Sequence, residues 1–110
     1  SGYAMLNSGA EKEAMSFVNI YDEFGDSADF KFLMGLIYMK NGLFDNAVKE
    51  FKKAVLYKDC KVEGVNSYQA YYNIGVIYEC LGYKDKALEY YEQCGDYENA
   101  QNREAYIKNN

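Results

Sequence analysis

Four stretches of the chain begin with Gly and reach Ala five residues on: Gly9 to Ala14, Gly42 to Ala47, Gly82 to Ala87 and Gly95 to Ala100. Three of them read GLFDNA, GYKDKA and GDYENA. The Gly42 and Gly82 copies sit in longer segments that correspond at a constant offset of 40 residues, Gly35 with Gly75, Tyr38 with Tyr78, Phe51 with Tyr91 and Ala54 with Cys94. Repetition at this spacing marks a stack of like units, each too small to bury its own apolar face. Such stacks usually bind other molecules and rarely do chemistry.

Helical periodicity fills in the units. Phe30, Leu33, Met34, Ile37 and Tyr38 recur at three- and four-residue steps, which predicts a helix from Phe30 to Lys40 with one apolar face. Asn41-Gly42 stops it, because Gly adopts the left-handed conformation of a helix exit. Phe44, Ala47, Val48, Phe51, Ala54 and Val55 form the stripe of the next helix, with Asp45 in its first turn. So short a turn sets the two helices antiparallel. The second unit repeats the plan: Ser67 as N-cap of a helix to about Leu81, a break at Gly82, and a partner helix from Lys84 to about Gln93.

Beyond Gly95, a last helix from Tyr97 to about Lys108 is expected to cap the stack, with Ala100, Ala105 and Tyr106 inward and Gln101, Asn102, Arg103, Glu104 and Lys108 toward water. Before the first full unit, Ala10 to about Phe24 reads as a helix whose partner is reduced to Tyr3 to Asn7. The expected division is therefore a partial repeat (1–27), a repeat with a long linker (28–66), a second repeat (67–96) and a cap helix (97–110). The linker, about Lys58 to Asn66, is either an extension of the preceding helix plus a loop or a loop that reaches over the stack.

Composition excludes several functions. Seventeen acidic against twelve basic residues give a net charge of −5 with no Lys or Arg run, which disfavours nucleic acid and anionic lipid. No apolar run approaches the roughly 20 residues of a membrane span, and no membrane insertion is expected. The start lacks the regions of a signal peptide, which points to the cytoplasm. Ser1 and Gly2 read as a cloning scar, so the chain is expected to be a piece of something longer. Cys60, Cys80 and Cys94 form no C-x-x-C pair and there is no His, so no metal or other cofactor is expected and the thiols read as small hydrophobes. Carboxylates such as Glu11, Glu13, Asp22 and Glu23 fall on faces expected to be solvated, without the cleft that acid–base chemistry needs. The expectation is a chain that is not an enzyme.

With these residues in view, the chain resembles the tetratricopeptide repeat family, whose unit is a helix–turn–helix of 34 residues. Met34-Gly35, Tyr38, Gly42, Phe44, Ala47, Phe51 and Ala54 match one repeat, and Ile74-Gly75, Tyr78, Gly82, Ala87 and Tyr91 the next. The resemblance implies an all-α solenoid. Gly35 and Ala47, like Gly75 and Ala87, are small where the helices of a unit approach, and Tyr38, Phe51, Tyr78 and Tyr91 are expected to fill the space between units. The departures are the longer spacing, Cys94 in place of a small Ala, and the missing proline at the repeat end. At the N-terminus only Gly9, Ala14, Val18 and Tyr21 keep the register. The run VEGVNSYQAYYNIGVIYE, followed by YYEQCGDYENA, is also similar to the repeat tail behind a family-2 glycosyltransferase domain in some bacterial proteins. That resemblance implies an accessory module of a larger enzyme.

The first helix of each unit lines the inside of such a stack. By analogy with the family, the inward positions are Asp29, Phe32, Leu36, Met39 and Lys40, then Gln69, Tyr72, Val76, Glu79 and Cys80. An apolar groove with aromatic anchors suits a protein or peptide segment laid into it. The groove expected from these positions comprises Phe32, Leu36, Met39, Lys40, Gln69, Tyr72, Val76 and Glu79. The family's clamp for a terminal carboxylate needs Lys and Asn where this chain has Phe32 and Leu36, which disfavours that ligand. The alternatives are packing by a neighbouring repeat or the cap helix, and self-association of two copies into a homo-oligomer.

Overall fold

The computed structural model describes residues 26–110. Among them are five helices and no strand: α1 (Ala28–Lys40), α2 (Phe44–Ala54), α3 (Tyr68–Cys80), α4 (Lys84–Glu92) and α5 (Glu98–Lys108). Each helix packs on the next, α1 with α2, α2 with α3, α3 with α4 and α4 with α5. The protein is an all-α helical-repeat solenoid. The expected helix from Ala10 to about Phe24, the remnant at Tyr3 to Asn7, the register of Gly9, Ala14, Val18 and Tyr21 and the acidic residues among them lie outside the described residues.

Helix α1 starts two residues earlier than its apolar stripe. Ser27, in extended conformation, accepts a hydrogen bond on Oγ from the Phe30 N–H at 3.1 Å, so the cap and not the stripe sets the first turn. Ser67 stands at the equivalent place before α3, but its hydroxyl caps nothing. There the Gly64 carbonyl accepts from the Ser67 and Gln69 N–H groups at 3.0 and 2.9 Å and shapes the entry instead.

The two turns inside the units are alike. Gly42 and Gly82 have φ of 75° and 86°. The N–H groups that follow, at Leu43 and Tyr83, each donate to the carbonyl five residues back, Tyr38 and Tyr78, both at 2.9 Å. Gly42 and Gly82 themselves donate to Met39 and Glu79. This double closure satisfies the last carbonyls of α1 and α3 and requires a residue at ease with positive φ.

The aromatic packing corrects one expectation. Phe51 and Tyr91 lie over the glycine of their own unit and do not serve only as spacers between units. A Cβ at Gly35 would stand 2.5 Å from the Phe51 ring, and one at Gly75 would stand 2.6 Å from the Tyr91 ring. A first core gathers Phe32, Val48, Phe51, Val65, Ile74 and Ile77 across both units. A second gathers Ala87, Tyr91, Cys94, Ala100 and Ile107, which closes the end of the stack with α5. Cys94 fits where a smaller Ala is usual. It is buried, its Sγ lies 3.4 Å from the carbonyls of Tyr68 and Tyr90, and burial pushes its thiol up to about 12.

Helix α5 presents a different face from the one expected. Ala100 and Ile107 are buried, whereas Ala105 and Tyr106 are exposed, Tyr106 by 55%. Arg103, expected in water, lies on the inward side between Ala100 and Ile107, and its neighbour Glu104 is half-buried.

The linker takes the second of its two expected paths. Helix α2 ends at Ala54, and the chain then reaches back to the start of α1. The Lys61 and Val62 N–H groups donate to the Asp29 carboxylate at 2.9 and 2.8 Å, and the Tyr57 hydroxyl donates to Asp26 at 2.7 Å. The Asn66 amide donates to the Tyr57 carbonyl at 3.0 Å, and Val65 drops into the first core.

Candidate binding groove

The inward positions of α1 and α3 are held in different ways. Phe32 is 9% exposed and meets Phe51 edge-on, with ring centroids 5.4 Å apart. It is a packing residue of the first core. Leu36 and Met39 are half-buried at the margin of that core, and Lys40, at the end of the helix, is exposed. Asp29 is occupied with the linker, whose Lys61 and Val62 N–H groups hold its carboxyl below the usual carboxylate range.

On α3, the Gln69 amide donates to the Glu63 carbonyl, so it too fastens the linker. Tyr72 and Val76 are half-buried against the second core. The Tyr72 ring lies 5.7 Å from Tyr91 and stands perpendicular to Tyr97 at 5.4 Å, and Tyr97 also meets Tyr68 at 4.9 Å. Burial raises the Tyr72 pKa. Further tyrosines are similarly engaged: Tyr71 lies 6.4 Å from Tyr90, which stacks on Tyr78 at 5.6 Å. Cys80 is exposed.

Glu79 carries most of the electrostatics. Arg103 of α5 grips it with both arms, Nε donating to Oε1 at 3.1 Å and Nη2 to Oε2. The Tyr91 hydroxyl donates to the same Oε1 at 2.7 Å. Arg103 first, and the Tyr91 hydroxyl after it, hold the Glu79 carboxyl below its ordinary value. Burial, with Glu79 adding to it, pushes the Tyr91 phenol well above its ordinary value, and Glu79 raises Arg103. Arg103 also lies over the Tyr106 ring at 4.6 Å. Sequence spacing missed Arg103, because its partner is 24 residues away and nothing local marks the pair.

This network gives the fold a pH dependence of definite sign. A carboxyl whose folded pKa is depressed contributes stability that is present above its unfolded value, 4.5 for Glu79, and lost as pH falls through the folded one. Wild type is therefore expected to lose stability below about pH 4.5 more steeply than Glu79→Gln. Urea unfolding of both at a series of pH values checks this, and parallel curves would remove Glu79 from the account.

Two consecutive helical hairpins, each closed by a glycine turn and by an aromatic ring over a second glycine, define a helical-repeat protein. A tetratricopeptide repeat family model matches residues 28–59 and 68–101, more than half of the chain. The chain belongs to the tetratricopeptide repeat family. No curated protein matches it. Repeats of this family generally mediate protein–protein interaction and are typically non-catalytic. The match carries nothing about a glycosyltransferase. No described helix is long and apolar enough to cross a membrane.

Proposed function

We propose that the chain is a non-catalytic module that binds a protein or peptide segment along the groove formed by α1 and α3. The observation that supports this is the row of half-buried apolar side chains left at the core margins on the first helices of successive units: Leu36 and Met39, then Tyr72 and Val76. Half-buried apolar groups offer area to a partner while keeping their own packing. Lys40 and Gln69 supply the polar rim, whereas Phe32 and Glu79 support the groove from within the fold.

The experiment is differential capture from lysate of the source organism, with wild type beside Met39→Glu/Val76→Glu of verified helicity. A partner held by wild type and lost by the variant supports the reading. Equal retention by both overturns it.

A further inference from the structure

The side of the stack formed by the second helices carries two adjoining hollows that share Tyr78. One, of about 550 Å³, lies at the turn between α3 and α4 and is lined by Tyr78, Tyr83, Lys84, Asp85 and Lys86. The other, of about 270 Å³, lies between the units, where Phe44, Val48, Lys49 and Lys52 meet Tyr78 and Leu81. Tyr83 is 59% exposed and Leu81 44%, so the apolar material here is open to a partner.

Charge sets this surface apart. The chain carries a net −5, yet Lys49, Lys52, Lys84 and Lys86 share the two hollows with only two carboxylates, Asp45 and Asp85. Both aspartates stand in the first turn of a helix, where the positive end of the helix dipole already engages them. None of the four lysines is in an ion pair among the described residues. Two lie over aromatic rings instead: Lys86 Nζ is 5.1 Å from the Tyr78 centroid and Lys52 Nζ 5.9 Å from that of Tyr90. Tyr78 and Tyr90 are themselves stacked, so both cations border one aromatic surface that joins the units.

The geometry points to a docking surface here for an acidic peptide segment of a partner protein, one that carries a large apolar side chain. Its carboxylates would meet Lys49, Lys52 and Lys86, and its apolar group would lie against Tyr78 and Tyr83. The surface lies outside the α1–α3 groove and adds a second point of contact to the function proposed above. Complementary charge of this kind chiefly sets partner choice and encounter rate, so the interaction weakens with salt.

The test uses a fluorescein-labelled short peptide in which Glu alternates with Phe and Leu, beside a counterpart with Lys in place of Glu. Anisotropy is read at low and high salt, and binding is mapped by amide chemical shifts. The expected result is salt-sensitive binding of the Glu peptide alone, with shifts at Tyr78, Tyr83 and Lys86. Lys52→Glu/Lys86→Glu should weaken it about tenfold or more. Tyr83→Ala should weaken it without a change of charge, while the uncharged groove variant Met39→Gln/Val76→Gln should keep the same salt-sensitive binding and the same shifts at Tyr78, Tyr83 and Lys86. These exposed lysine and tyrosine sites leave helicity unchanged, which circular dichroism checks. No binding, equal binding of the Lys peptide, undiminished binding by the charge-reversed variant, or shifts confined to α1 and α3 would overturn the proposal. So would the same shifts on concentrating the chain alone, which would make the occupant a second copy.

Discussion

Gly75→Val is expected to lower the stability of the chain by about 3 kcal/mol, at the upper end of what overpacking a core costs. A Cβ at this position would stand 2.6 and 2.7 Å from two atoms of the Tyr91 ring and 3.1 Å from a third. Elsewhere a ring could turn aside. Here Tyr91 is fully buried, its hydroxyl is anchored on Glu79 at 2.7 Å, and Tyr72 stands beside it. The strain must therefore separate α3 from α4. Gly75→Ala should also destabilise, although Ala is better than Gly in a helix interior by about 1 kcal/mol, because even one carbon does not fit. Gly82→Ala is the contrast. Nothing lies within 4 Å of its Cβ, so only its φ of 86° resists, for about 1–2 kcal/mol. Urea denaturation of the three variants ranks them. A Gly75→Val variant as stable as wild type would mean that the close approach of α3 and α4 is not part of the folded protein.

Tyr91 itself separates ring from hydroxyl. Tyr91→Ala removes the largest fully buried side chain among the described residues and should cost about 3–5 kcal/mol, the range for deleting a buried aromatic side chain. Tyr91→Phe keeps the ring over Gly75 and removes only the hydrogen bond to Glu79, for about 1–2 kcal/mol. Arg103 stays on the carboxylate, which limits that smaller loss. The same denaturation experiment reads both. Equal losses would place the stabilisation in the hydroxyl network and contradict the packing account.

The parts of this fold that repeat are the parts that could be read from the sequence. Gly42 and Gly82 announce the same turn twice, because positive φ leaves few other residues. Gly35 and Gly75 announce the same close approach, because a ring leaves no room for a side chain. What depends on a distant partner could not be read. Ser27 and Ser67 occupy equivalent positions, but only Ser27 caps its helix, since the Gly64 carbonyl has already shaped the entry to α3. Asp29 reads as part of a groove edge until the linker, more than thirty residues on, supplies its two N–H partners. The face of α5 is not legible from the sequence, because Arg103 belongs on a polar face by type and is drawn inward by Glu79.

The candidate groove divides along the same line. Phe32 has the size of a ligand anchor, and only the position of Phe51 reveals it as core. Leu36, Met39, Tyr72 and Val76 remain at the margins of the two cores, where half-burial leaves them area to share. A spacing rule places all of these on one helical face. It cannot say how much of each a neighbouring helix has taken.

The most direct test of the binding account is site-specific photo-crosslinking in cells of the source organism. A benzophenone amino acid is placed at Lys40, exposed at the end of α1 in the proposed groove, or at Glu92, exposed at the end of α4. The account predicts a defined crosslinked partner from Lys40 that Glu92 does not give. A partner captured equally from both positions, or from neither, would contradict a binding groove on α1 and α3.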